Sequence, residues 1–218
     1  MPGTLADVER VISVLTQAIL DNEKYFGDLD AVVGDGDFGY SLARGFEIIQ
    51  EQWDSFDRTD PGVFITKVAM AFSARIGGTS GPIWGTAFLR FGGKLKGSDE
   101  FTADDVVVGL RAAIEGIKKR GSAELGEKTL LDSLIPATDT LEAEVAKGTP
   151  AREAVRAFAV TARETAEATK DLQAMRGRAS YTGERSIGSV DAGAMAIAVL
   201  AEKLADTWPA DCALSQTP

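Results

Sequence analysis

The stretch LDAVVGDGDFGYSLARGFEIIQEQW, residues 29–53, passes from an acidic, glycine-rich segment into a run whose apolar residues recur every three or four positions. Leu42, Gly45, Phe46, Ile49 and Trp53 keep to one face of a helix starting near Tyr40. The same rhythm returns along the chain. Leu5, Val8, Ile12, Leu15 and Ile19 mark a helix before it, and Asp60-Pro61, an N-cap followed by a first-turn proline, opens one through Phe64, Val68 and Phe72. A fourth runs from Ile83 to about Leu95. Thr102, followed by Asp104 and Asp105 at the positive end of the dipole, opens a fifth through Leu110, Ile114 and Ile117. A sixth carries Leu131, Leu134, Leu141 and Val145, with Pro136 as a point of kinking. Thr149-Pro150 starts a seventh, and the last spans roughly Gly193 to Leu204. Alternating strand patterns are absent. The expected fold is an all-α single domain over residues 1–218, built of about eight helices that are mostly antiparallel because their connections are short.

The acidic segment carries the chemistry. Asp30, Asp35 and Asp37 lie within eight positions, and the glycines between them let the backbone turn sharply enough to point carboxylates at one centre. Residues two apart do not face each other on a helix, so Asp35 and Asp37 must converge from a loop. The plain alternative is an acidic turn that only caps the following helix. A calcium-binding EF-hand loop starting at Asp35 needs an acidic or amide residue at its fifth position, Gly at its sixth and Glu at its twelfth. The chain supplies Gly39, Tyr40 and Phe46. Zinc is excluded as well, because the chain has no histidine and one cysteine, Cys212. Magnesium remains, and it takes one or two protein carboxylates and completes its shell with water and substrate phosphates.

A cradle for phosphate is present at Gly77-Gly78-Thr79-Ser80-Gly81-Pro82, just before the fourth helix. Backbone N–H groups at a helix start, two small hydroxyls and glycines that permit close approach make an anion site. Capping of the helix by Thr79 or Ser80 is the structural alternative. Residues 121–129 imitate a nucleotide-binding P-loop, but Glu127 stands where the lysine must follow the second glycine, and a helical run precedes the segment where a strand is required.

Composition narrows the partners. With 23 basic against 33 acidic residues the net charge is −10, which opposes binding to nucleic acid or anionic membranes. No apolar run reaches the length of a membrane span, and the N-terminus lacks the build of a signal peptide, so a cytoplasmic location is expected. One segment, residues 175–191, has no clear period and is longer than a helix-to-helix turn needs. It reads either as a disordered surface loop or, since Arg176, Arg178 and Arg185 suit phosphate, as a loop that closes over a nucleotide.

LDAVVGDGDFG from Leu29, ARGFE from Ala43, GGTSGPIWGTAF from Gly77, GEKTLLDSLIPA from Gly126 and GRASYTGERSIGSVDAGA from Gly177 occur in order over almost the whole chain. Together they resemble the L subunit of dihydroxyacetone kinase, the nucleotide-binding subunit. The resemblance implies a barrel of eight antiparallel helices with the nucleotide, ADP or ATP, at one end. It makes Asp30, Asp35 and Asp37 the ligands of two Mg2+ ions, with Thr79 and Ser80 contacting phosphate and Phe38, Gly39, Tyr40 and Ser41 bordering it. Gly121 and Leu130 would line the nucleoside pocket, Arg178 would contact the nucleotide, and Val190, Asp191 and Ala192 would close the site. It further implies a separate K subunit that holds the ketone through a histidine, and in some members a phosphohistidine protein of the sugar phosphotransferase system that recharges bound ADP. The oligomeric state is left open, a homodimer included.

The chain departs from the family where Phe38 replaces the usual His and Ser41 the usual Asn. Phenylalanine cannot donate a hydrogen bond, so either Tyr40 or Arg178 substitutes for the loss or nucleotide affinity falls. A non-catalytic, nucleotide-sensing member of the fold is the rival reading. A metal buffer without nucleotide is weaker still, since it leaves the loop at Gly77 unexplained, and a purely structural barrel is the blandest alternative, which predicts no rise in melting temperature with nucleotide.

Overall fold

A computed structural model describes residues 2–209 of the 218-residue chain; Cys212 lies outside them. Among the described residues there are nine α-helices: α1 (Leu5–Asp21), α2 (Glu23–Asp30), α3 (Phe38–Glu51), α4 (Pro61–Ser73), α5 (Ser80–Leu95), α6 (Ala103–Gly121), α7 (Leu131–Ala146), α8 (Ala151–Ala168) and α9 (Ala192–Thr207). The one strand pairing among the described residues, antiparallel between Gly3–Thr4 and Glu100–Phe101, was not foreseen in the sequence. Nor was α2, which is two turns long and fully buries one side chain, Phe26.

Eight helices close into a ring. α1 packs on α3, each helix from α3 to α9 packs on its successor, and α9 returns to α1, while α2 lies against α3 and α9. Short connections make ring neighbours antiparallel, so alternate connections fall at the same end. One end therefore gathers the α2–α3, α4–α5, α6–α7 and α8–α9 connections. The other gathers the α3–α4, α5–α6 and α7–α8 turns, the first two tied by Asp60, whose carboxylate accepts from Val63 N at 2.7 Å and from Gly97 N at 3.0 Å. The expected cap at Thr102 is present as a reciprocal box with Asp105. Thr149-Pro150, expected to start α8, stands immediately before it with Pro150 at the N-cap position, and the Thr149 hydroxyl donates to Glu144.

Packing differs around the ring. Between α3, α4 and α5 the core is aromatic: Phe46 stacks on Phe72 at 4.8 Å and both meet the edge of Phe88. Between α7, α8 and α9 it is alanine, with Ala137, Ala159, Ala162, Ala166, Ala194 and Ala198 buried, and small side chains let these helices approach closely. Inside the barrel an apolar cavity of about 300 Å³ is lined by residues of seven ring helices, among them Ile12, Trp84, Phe91, Ala113, Phe158 and Ile197. Among the described residues no helix is long and apolar enough to cross a membrane.

Candidate nucleotide and metal site

The site is built at the end where the alternate connections meet. Helix α2 stops at Asp30 because the chain turns back through Gly34, whose amide donates to the Asp30 carbonyl at 2.6 Å. Gly36 adopts φ +77°, a left-handed conformation that favours glycine, and its amide donates to the Asp30 carboxylate at 2.9 Å. Space also demands glycine here: a Cβ on Gly34 would stand 2.3 Å from the Asp30 carboxylate, and one on Gly39 would stand 2.0 Å from the Glu23 carbonyl oxygen. The turn thus presses α3 against α2 and returns Asp35 and Asp37 toward Asp30. One carboxylate oxygen of each lies within 4.8 Å of the others. Asp37 occupies the N-cap position of α3 without a side-chain capping bond, so its carboxylate is not consumed by the plain alternative.

Three hard oxygen donors on one centre suit Mg2+, whose ligands sit about 2.1 Å from the ion. The compensating cation is Arg178. Its guanidinium is ion-paired with Asp35 and stands 4.0 Å from Asp37, carried there by the α8–α9 connection.

At the start of α5, Gly78 has φ +62°, and space is open around both Gly77 and Gly78. Thr79 is the N-cap residue but makes no side-chain capping bond. The first amides of α5 fall outside the helical hydrogen-bond ladder and remain available to an anion. Gly121, at the end of α6, faces this helix start: a Cβ there would meet Ile83 at 3.1 Å. Leu130 lies beside Gly193 on the first turn of α9, which brings the 190–192 stretch next to it.

Other expected residues have different surroundings. The Phe38 ring turns inward and packs on Phe26, with centroids 6.2 Å apart. Tyr40 is exposed and lies under the Arg44 guanidinium, 5.1 Å away. Asp191 caps α9 by accepting from Ala194 N at 2.7 Å, which commits its carboxyl to the helix start. Asp191 as a whole keeps some exposure, yet the protein around its carboxyl, together with nearby Asp132, pushes its pKa up to about 7.

The sequence reading missed the polar centre behind these loops. The α8–α9 connection is an ordered assembly of short three-ten turns, Thr169–Asp171 and Arg178–Ser186. Buried Lys128 donates to the carbonyls of Leu172, Ser186 and Ser189. Buried Asp132 accepts from the amides of Gly126 and Thr129. The imitation of a P-loop drew attention to this segment for the wrong chemistry; a lysine between glutamate and threonine gives no sign that it turns inward.

Residues 32–206 match the DAK2 domain family. The chain belongs to that family. This DAK2 chain is 34% identical over 191 residues to the ADP-binding subunit DhaL of PEP-dependent dihydroxyacetone kinase 1 of Listeria innocua, covering 88% of the chain and 90% of the relative. It is 32% identical to the corresponding Escherichia coli subunit, covering 84% and 87%. It also matches a D-erythrulose kinase of Mycolicibacterium smegmatis at 35% identity, where it covers 91% of itself but only 35% of the longer protein. A crystal structure of the dihydroxyacetone kinase from C. freundii in complex with AMP-PNP and Mg2+ superposes with a TM-score of 0.73 at 25% identity, over 95% of the DAK2 chain and 35% of the kinase. The expected L-subunit assignment and all-α barrel are borne out.

Proposed function

We propose that this chain is the nucleotide-binding, phosphoryl-transferring subunit of a kinase for dihydroxyacetone or a related short-chain ketose, acting with a K subunit that holds the ketone. The observation that carries the reading is the convergence of Asp30, Asp35 and Asp37 at the barrel end that also bears the start of α5. The names of the relatives supply the substrate class: L subunits of dihydroxyacetone kinase and kinases of erythrulose.

In this reading Asp30, Asp35 and Asp37 would hold two Mg2+ ions, whose charge would neutralise and orient the phosphates. The amides at the start of α5, with the Thr79 and Ser80 hydroxyls, cradle the phosphate to be transferred. Gly121 and Leu130 line the nucleoside pocket, the backbone of residues 190–192 closes it, and Arg178 moves from the carboxylates to the phosphates. The chain supplies positioning and electrostatics and needs no covalent nucleophile of its own. Histidine, which would hold the ketone, is absent from it, so alone it should turn over little substrate. The donor is either exchangeable ATP or resident ADP recharged by a phosphohistidine protein of the sugar phosphotransferase system. A PTS-dependent relative from Lactococcus lactis, 35% identical, supports the latter. The reaction belongs to the cytoplasm, where its donors are.

A second reading, a non-catalytic nucleotide sensor, draws on Phe38, whose ring lies against Phe26 where the family usually has a polar side chain. Chromatography of nucleotide released on denaturing protein purified in Mg2+ separates the possibilities. Near-equimolar ADP, lost only after chelation, is expected for the recharged-ADP scheme, and an empty protein that binds ATP reversibly for the ATP scheme. A protein that binds nucleotide but yields no phosphorylated ketose with any K subunit supports the sensor. One that binds neither nucleotide overturns both readings.

A further inference from the structure

Lys128 is 2% exposed and takes φ +60°, a left-handed conformation that costs a non-glycine residue about 1 kcal/mol or more. Its position is therefore enforced by what surrounds it. An ammonium has three protons, and the three acceptors present are backbone carbonyls: Leu172 at 3.1 Å, Ser189 at 2.6 Å, and Ser186. No neutral side chain supplies three donors from one atom. Leu172 and Ser189 bound the segment that carries Arg178, so one buried cation closes the neck of that segment and fixes it to the α6–α7 connection. The adjoining bonds act on the same neck. Glu127 takes Arg176 with both carboxylate oxygens, at 2.7 and 2.6 Å, and its carbonyl accepts from Met175 N. Ala174 N donates to the Ser186 hydroxyl, and Gly188 N to the Lys170 carbonyl. Beyond the neck the segment has little apolar anchorage: Arg178 is exposed and Tyr181 is 88% exposed.

We propose that Lys128 is a positioning residue, whose three carbonyl bonds set Arg178 over the Asp35–Asp37 carboxylates and thereby govern both divalent-cation access and nucleotide release. The nucleotide half rests on the function proposed above; the cation half does not. With the neck closed, Arg178 competes with a metal ion for Asp35. Once nucleotide is bound, the same reach serves the phosphates and slows departure.

The test is made on the full chain with Lys128→Met, Arg178→Gln and the double variant. Mn2+ binding without nucleotide, the ADP release rate in Mg2+, and amide hydrogen exchange over residues 172–189 are read for each. Loss of charge-assisted bonds predicts, for Lys128→Met, exchange faster by at least about tenfold, Mn2+ affinity raised several-fold and ADP release about tenfold faster, with helix content retained. In the Arg178→Gln background the substitution should add little to the Mn2+ and ADP effects, because both act through one side chain. Additive effects, or faster exchange with unchanged Mn2+ affinity, reduce Lys128 to a structural role and overturn the proposal. Should Lys128→Met fail to fold, Lys128→Gln, which keeps two donors, replaces it and is held to the same criteria. A wild-type chain that binds no ADP removes the function reading alone, since Mn2+ affinity and exchange still decide whether Lys128 places Arg178.

Discussion

Asp35 is ion-paired with the Arg178 guanidinium, and in the function proposed above a divalent cation competes for the same charge. Asp35→Ala removes one of three carboxylates while leaving α2 and α3 intact. It is expected to weaken Mg2+-dependent nucleotide binding by at least about tenfold with an unchanged far-ultraviolet spectrum; unaltered binding would sink the metal assignment. Asp191 makes a prediction about pH. Its folded pKa of about 7 lies above the ordinary value of 3.8, so between these values the folded chain keeps a proton that the unfolded chain gives up. Its contribution to stability is fully present below that window and declines as pH rises through it. Asp132 and Lys128 face the same group from the α6–α7 side, the first raising and the second lowering its pKa. Asp191→Asn keeps an oxygen for the Ala194 amide and should flatten this part of the profile, as urea midpoints at about pH 5 and about pH 8 would show. An equal slope in both proteins would assign it to other groups. The three aspartates were legible as a cluster because glycines between carboxylates carry a geometric meaning. Lys128 was not, because its acceptors are backbone carbonyls at least 44 positions away, to which no side-chain pattern points.

Helix boundaries were legible where a side chain caps them. Asp60 and Thr102 both announced the starts of α4 and α6, and both accept the expected backbone bond. Asp60 also reaches Gly97, joining two turns at the end away from the site. Asp60→Ala should cost about 2 kcal/mol, from a lost cap and an orphaned amide, without changing nucleotide affinity; Asp60→Asn should recover part of it. Thermal melts compared with nucleotide titrations would show whether the two ends are independent. Helix α2 escaped notice because eight residues, EKYFGDLD, bury only Phe26 and cannot display a period. The strand pair escaped because two residues cannot alternate. The α8–α9 connection was left between disorder and a closing loop. It is ordered, but by hydrogen bonds that Lys128 donates and that Glu127 and the Ser186 hydroxyl accept, rather than by any apolar rhythm of its own.

At the scale of the whole molecule, the helical rhythm was enough for the all-α class, and short connections were enough for antiparallel neighbours. Closure of the ring was not written in any one segment, since it depends on α9 meeting α1 across the length of the chain. That closure makes the barrel respond as a unit. A nucleotide held at one end at about 100 times its dissociation constant should add about 3 kcal/mol to global stability in Mg2+ and far less after chelation. Calorimetric melts with ADP, with and without chelator, would measure this; a shift independent of the metal would contradict the proposed site. The barrel interior also holds apolar space of about 300 Å³ that its own side chains leave unfilled. Unfolding abolishes that space, so hydrostatic pressure should act as a denaturant, with a transition volume reduced by filling the barrel from within through Ala113→Leu.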